Sequence, residues 1–224
     1  MTQEKWTAVE SYICEKLVPS DAALDAALES SNAAGLPAIN VSPNAGKLLH
    51  LLAKSIAARN ILEIGTLGAY STIWLARALP AGGRLITLEF DPKHAEIAST
   101  NIARAGLSNV VEIRLGKAIE SLPKIATENL APFDLIFIDA DKPSNADYFT
   151  WALKLARPGS LIIVDNIVRD GNVIDPDSAD TSVQGVRRLN DLLAKEPRIT
   201  ATAMQTVGSK GYDGFAIALV LADA

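Results

Sequence analysis

Residues 133–142 read FDLIFIDADK. Phe133, Leu135, Ile136, Phe137 and Ile138 are what a parallel strand buried on both faces requires. Asp139, Asp141 and Lys142 follow where such a strand leaves its sheet. Two carboxylates and an ammonium at one strand tip need a partner, and the neighbouring segments indicate its chemistry.

Working outward, NILEIG (60–65), GRLITLEF (83–90), NVVEIRL (109–115) and SLIIVDN (160–166) have the same apolar character, and FDLIFIDA extends to 140. Helical segments alternate with them from about Asn60 onward. AYSTIWLARALP predicts a helix ended by Pro80. Asp91-Pro92 predicts an N-cap and first helical position of a helix that Gly106 closes. This rhythm predicts a parallel sheet with helices on both faces. RITATAMQTV (198–207) and GFAIALVLA (214–222) break it, being joined by only GSKGYD. A parallel pair needs a long crossover, so these two are antiparallel. The expectation is an α/β fold with seven mostly parallel strands, the last one reversed. Before Asn60 lies a helical extension, residues 1–40, ahead of a core of 41–224. In SPNAGKLLHLLAKSIAARN, Ser42 and Pro43 read as N-cap and first helical residue.

A length of 224 residues fits one domain. The formal charge of −5, with Lys and Arg scattered, excludes a basic stripe and so nucleic acid as a partner. Cys14 is the single cysteine, which excludes an internal disulfide and a thiolate metal cluster. MTQEKWTAVESY carries charges where a signal peptide has an apolar run, and no apolar run is long enough to cross a bilayer. A cytoplasmic chain with no membrane partner is expected.

In an open sheet of this kind ligands bind beyond the carboxyl ends of the strands, where strand order reverses. Gly65 and Gly68, in the turn GTLGAYST (65–72), let the backbone turn sharply and approach a ligand. Glu89, some twenty residues on, is placed to accept hydrogen bonds from a ribose. The dinucleotide fingerprint G-x-G-x-x-G is absent. Glu63 beside that turn would repel a pyrophosphate but suits a cation, and S-adenosylmethionine carries both an ammonium and a sulfonium. Asp139, Asp165 and Asn166 offer hard oxygen ligands suited to Mg²⁺, Ca²⁺ or Mn²⁺. Beside a dication a lysine's neutral form is favoured, which makes Lys142 a candidate general base. Singly, each acid also reads as a helix N-cap or a solvated strand end, and Lys142 as a surface lysine. Asp-Asn after one Val/Ile run, opposite a second such run ending in Asp, is harder to assign to chance.

ILEIGTLGAYST, LITLEFDP, FDLIFIDADK and LIIVDNIVRDG together resemble the cation-dependent O-methyltransferases, which include catechol and caffeoyl-CoA O-methyltransferases and small bacterial relatives. The similarity runs from INVSPNAGK (39–47) to the C-terminus. The resemblance implies a class I, Rossmann-like S-adenosylmethionine fold with a reversed seventh strand. It implies Asp139, Asp165 and Asn166 as metal ligands and Lys142, with Asp139, as the catalytic pair. It places Glu89 on the ribose with Phe90 beside it, and Glu63, Gly65, Thr66 and Ser71 in the turn that holds the methionine part. Ile39 and Val41 match cofactor-lining positions, and Gly116, Lys117 and Ala118 the adenine-side loop. Asp139, Asp141 and Tyr148 match residues near the cofactor. A small phenolic, catechol-like acceptor and a homodimer are implied as well.

The chain departs from the family pattern at two points. Ile167-Val168-Arg169 stands where plant-like members have an apolar residue and Trp, and Leu67 where catechol-type members have a polar aromatic. Arg169 is a candidate for pairing with an acceptor carboxylate, against the plainer reading of a solvated loop residue. The N-terminal segment, the least matched, is expected to govern substrate access or dimerisation. His50 and His94 read as a packed and a surface side chain far from the rim, and Trp74 as core. Trp6 and Tyr12 read as packing or dimer contacts, and Trp151 as helix packing. Two alternatives stand at this point: a non-catalytic cofactor-binding protein of the same fold, and an NAD(P)-dependent dehydrogenase.

Overall fold

In the computed structural model, which describes residues 2–19 and 21–222, the chain builds one seven-stranded sheet. The strands are β1 (Asn60–Ile64), β2 (Arg84–Glu89), β3 (Val111–Leu115), β4 (Phe133–Ile138), β5 (Ala156–Asp165), β6 (Ile199–Gly208) and β7 (Gly211–Val220). Their order across the sheet is β3-β2-β1-β4-β5-β7-β6. Strands β1 to β5 pair in parallel, and β7 runs antiparallel to both β5 and β6. The reversed last strand is therefore as expected. Its connection is tighter than GSKGYD suggested, because Tyr212 and Asp213 already belong to β7.

The helices are α1 (Gln3–Leu17), α2 (Ala22–Ala33), α3 (Pro43–Ser55), α4 (Tyr70–Ala76), α5 (Pro92–Arg104), α6 (Ala118–Thr127), α7 (Asn145–Leu155) and α8 (Thr181–Lys195). Ser42 caps α3, its Oγ accepting from Ala45 N at 3.3 Å, and Asp91 caps α5 ahead of Pro92. Helix α4 stops at Ala76, one turn before Pro80. Residue 79 precedes that proline and is pushed out of the helical region, which shortens the helix from its end.

Alternation along the strands sorts two apolar layers. Leu62, Ile64, Ile86, Leu88, Ile136, Ile138, Ile162 and Val164 face α6 to α8. Ile61, Leu85, Leu135, Phe137 and Ile163 face α2 to α4. Helix α2 is thus a core layer and not an appendage. Asp21 caps it, accepting from Ala23 N at 3.0 Å and Leu24 N at 3.1 Å, and pairs with Arg77 at 2.8 Å. Asn101 of α5 stitches α2 to the turn after β1, donating to Gly68 O at 3.0 Å and accepting from Ser30 Oγ at 2.7 Å. At the opposite rim Asp134 accepts from Arg59 N and Asn60 N, fixing the start of β1 against β4.

Candidate active site

Strand order reverses between β1 and β4, so the crevice beyond their carboxyl ends is the place for a ligand. The period of two decides which side chains face it. Glu63, Thr87, Glu89, Asp139 and Asp165 share parity with Ile61, Leu85, Leu135, Phe137 and Ile163, and hence the α2–α4 face. At the tips, Gly65 N donates to Leu88 O (3.0 Å), Asp139 N to Ile64 O (2.8 Å) and Gly116 N to Glu89 O (2.8 Å). These bonds bring four strand ends to one rim.

Gly65 has φ +105°, and a Cβ there would stand 2.1 Å from Asp139 O. The turn after β1 can therefore lie against the tip of β4 only with glycine. Gly68 plays another part from the one expected. Its φ is not left-handed, and a Cβ would collide with Ser31 Oγ of α2 at 2.0 Å. The sharp turning falls on Leu67 (φ +51°) and Ala69 (φ +66°), strained positions of the kind that gather at functional sites.

Glu63 is fully buried beneath this turn. Its carboxylate accepts from Ser71 Oγ (2.6 Å), Thr72 Oγ1 (2.5 Å) and Thr87 Oγ1 (2.7 Å). Since Thr87 donates to Glu63, the 2.6 Å contact between Thr66 and Thr87 is donated by Thr66. Burial pushes the Glu63 carboxyl up to about 7 against the pull of those hydroxyls. The sequence placed this acid at the turn; in the structure it lies under the turn and fixes Ser71 and, through Thr87, Thr66.

Glu89 binds two turns together. Oε2 accepts from Thr66 N (3.2 Å) and Leu67 N (2.7 Å), and Oε1 from Phe90 N and Asp91 N, both 2.9 Å. His94 Nδ1 stands 3.6 Å from Oε1. This corrects the sequence reading, which put His94 far from the rim. The first turn of α5 folds back toward β2, and the His94 side chain comes with it. Phe90 is 67% exposed beside Glu89. Gly116, with φ +135°, turns the chain into Lys117 and Ala118 at the start of α6. His50 is packed as expected, its Nδ1 3.1 Å from Trp74 O.

On the β4 side, Lys142 is buried in a short 3₁₀ turn, Lys142–Ser144, and its Nζ lies 2.8 Å from Asp139 Oδ1. Asp141 turns away from that pair and accepts from Tyr148 Oη and Ser144 Oγ, both at 2.5 Å. Burial and this carboxylate raise the Tyr148 phenol. Gly185 of α8 makes room for the turn, since a Cβ there would stand 2.2 Å from Lys142 O. Burial, and after it the charge of Asp139, pushes the Asp165 carboxyl up to about 7. Asn166 follows with φ +57°. Asp213, which the sequence reading passed over, organises the next residues by accepting from Val168 N (2.9 Å) and Arg169 N (3.0 Å). Arg169 Nη1 is 3.9 Å from Asp213 Oδ2, and its Nε is buried without a partner.

No three His, Cys, Asp or Glu residues gather as a metal site among the described residues. The third oxygen of the expected set is an amide, that of Asn166. Two carboxylates that repel each other, with one ammonium 2.8 Å from Asp139 and an amide oxygen beside Asp165, form a donor set that a hard dication fits. Ile39 and Val41 lie on the segment before α3, Ile39 exposed and Val41 buried.

The sheet order, the reversed seventh strand and the acid-lined rim at the switch point define a class I methyltransferase fold. The family model described as O-methyltransferase matches residues 19–219. The chain is 56% identical over 220 residues to a catechol O-methyltransferase of Niastella koreensis, covering 98% of this chain and 100% of the relative. It is 50% identical over 212 residues to a catechol O-methyltransferase of Mycobacterium tuberculosis, covering 95% and 94%. Among solved structures, the O-methyltransferase from Bacillus cereus in complex with SAH superposes with a TM-score of 0.97 at 58% identity, covering 98% of this chain and 100% of that one. TomG from Streptomyces achromogenes, an O-methyltransferase involved in tomaymycin synthesis and solved with SAM, gives 0.96 at 52% identity, covering 99% of both chains. The chain belongs to the O-methyltransferase family. It is a methyltransferase enzyme, and the dehydrogenase and non-catalytic readings fall.

Proposed function

We propose that this enzyme methylates one hydroxyl of a small vicinal diol, catechol-like, with S-adenosylmethionine as donor and a divalent cation (Mg²⁺, Ca²⁺ or Mn²⁺) as helper. The observation that carries this reading is the Asp139–Lys142 pair, at 2.8 Å, beside Asp165 and Asn166 at the switch point of the sheet.

In this reading Glu89 takes the ribose, with Phe90 against the base side and Gly116, Lys117 and Ala118 beyond it. Gly65, Thr66 and Ser71, held from below by Glu63, form the floor for the methionine part. Asp141 and Tyr148 close that side, and Ile39 and Val41 line it from the N-terminal segment. Asp139, Asp165 and Asn166 would hold the cation. When bound, it would lower the pKa of an acceptor hydroxyl and fix two neighbouring oxygens. Lys142 takes the proton at Nζ. Nζ can do so only as the neutral amine, so the ammonium now paired with Asp139 first gives up its own proton to water. No residue is needed as a covalent nucleophile, because methyl transfer is a direct displacement; positioning supplies much of the rate.

Two copies of the chain pairing is part of the same proposal. Strand β6 is an edge strand whose ten residues, ITATAMQTVG, carry no charge and are nearly all exposed. Charged residues, proline and bulges normally protect such edges. Helix α1 lies against β6 and exposes Val9, Tyr12 and Leu17. A cytoplasmic location also belongs to the proposal; Cys14 is a free thiol, and no helix among the described residues is long and apolar enough to cross a membrane.

The test is a methyl-transfer screen over vicinal diols with and without EDTA, products identified by mass spectrometry. Turnover of diols that chelation abolishes supports the reading. Full turnover in EDTA, or turnover confined to isolated hydroxyls, defeats it.

A further inference from the structure

We infer that Lys210 latches the Pro37–Asn40 flap over the cofactor side of the site, so that the β6–β7 turn holds this flap and the acceptor-side loop in one arrangement. The inference rests on the reading of the rim as an S-adenosylmethionine site and adds a positioning residue to it.

The flap has buried feet and an exposed tip. Leu36 and Val41 are buried, whereas Ile39 between them is 69% exposed. The foot at Leu36 stands on the cofactor-side turn, its Cδ2 3.6 Å from where a Cβ of Gly68 would be. Inside the flap, Ile39 N donates to Pro37 O and Asn40 Nδ2 to Val41 O, both at 2.9 Å. These bonds shape the flap without fastening it. Among the described residues, the tie to another element is made by Lys210, distant in sequence, whose Nζ donates to Ala38 O at 2.9 Å.

Lys210 can act as a latch because its own turn is anchored. Glu10 of α1 accepts from Ser209 N and from Ser42 Oγ, both at 2.5 Å, which links the β6–β7 turn to the cap of α3. A Cβ on Gly208 would come within 2.6 Å of Glu10 Oε2, so the turn sits tight on this carboxylate. Gln3 Nε2 adds a bond to Gly208 O at 2.7 Å. Directly beyond the turn, Tyr212 O accepts from Asp170 N at 3.2 Å and Asp213 holds Val168 and Arg169. One rigid turn thus touches the flap on the cofactor side and the loop on the acceptor side.

A charge-assisted bond at the tip of a short flap restrains backbone that would otherwise sample open positions. Releasing it lowers the population of the closed flap and weakens cofactor binding by that fraction. Lys210→Met, which keeps the stem and removes the donor, is expected to weaken binding of S-adenosylhomocysteine by about three- to tenfold. KM for S-adenosylmethionine rises with it, kcat changes little, and the amides of residues 38–40 exchange faster. Lys210→Arg keeps a donor and restores affinity in part. The experiment is calorimetric titration of wild type and both variants, with hydrogen exchange and thermal midpoints recorded on the same preparations. Wild type that fails to bind overturns the site reading itself. Wild type that binds, with Lys210→Met binding equally well, overturns the latch alone. A loss of affinity that tracks a fall in thermal midpoint and is not rescued by arginine also overturns it.

Discussion

The backbone N–H of Leu67 points into the Glu89 carboxylate, 2.7 Å from Oε2, while the N–H groups of Phe90 and Asp91 reach Oε1. Glu89 therefore joins the turn after β1 to the turn after β2. A carboxylate that accepts backbone N–H groups from two turns sets their spacing, and in the proposed reading that spacing is where the ribose would sit.

Removing Glu89 should act on binding and on stability together. Glu89→Ala is expected to weaken S-adenosylmethionine binding by roughly 1–3 kcal/mol, the scale of hydrogen bonds to a charged group. It should also lower the thermal midpoint, because four backbone donors lose their acceptor. Calorimetry showing unchanged affinity would take Glu89 out of the ribose site and leave it a structural clamp.

The metal reading separates chemistry from cofactor binding. Asp165→Ala and Asn166→Ala should abolish metal-stimulated methyl transfer and leave S-adenosylhomocysteine affinity nearly unchanged, since the cation serves the acceptor. Chelated wild type that methylates a catechol at full rate would mean that the oxygen cluster is structural.

Glu63 should give the fold a pH dependence of definite sign. Its folded value lies near 7, above the ordinary 4.5, because it is buried. A carboxyl raised in this way contributes stability that is complete below 4.5 and is lost as pH rises through about 7. The loss is up to roughly 3 kcal/mol over that window. Thermal melts of cofactor-free Glu63→Gln should be flatter across this window than those of wild type. Parallel curves would assign the pH dependence elsewhere.

Gly185 offers a steric test of the Lys142 position. In the middle of a helix, Gly→Ala ordinarily stabilises by about 1 kcal/mol. Here the new methyl group would stand 2.2 Å from Lys142 O. Gly185→Ala should instead destabilise by about 1–3 kcal/mol and reduce kcat, as the Lys142 turn is pushed outward. A more stable, fully active variant would show that the turn can yield.

The strands and the reversal of the last one were legible because apolar runs, turn residues and the short GSKGYD link mark them locally. The rim acids were legible because charge directly after a buried strand is rare. Other features depend on contacts that span the chain. Gly68 read as a turn residue, yet it is small because Ser31 of α2 packs on it. His94 read as a surface side chain, and its approach to Glu89 exists only once α5 folds back. Asp213 sits in GSKGYD with no local sign that its carboxylate arranges the loop after Asn166. The common parity of Glu63, Thr87, Glu89, Asp139 and Asp165 was available in the sequence. Strands buried on both faces hide which face is which until the helices are placed.

Arg169 provides the last prediction, which concerns the acceptor. Its guanidinium stands 3.9 Å from Asp213 Oδ2, longer than a hydrogen bond, and its Nε has no partner. Asp213 is already engaged by backbone N–H groups of Val168, Arg169 and Gly214 through Oδ1. The guanidinium therefore stands near Asp213 with donors that its neighbours do not use. A planar cation with spare donors suits a carboxylate at the far end of a bound diol. Caffeic acid should then be preferred over plain catechol. Arg169→Ala should lower kcat/KM for the acid and spare the uncharged diol. Equal losses for both acceptors would mean that Arg169, with its left-handed backbone at φ +55°, shapes the loop and does not select the substrate.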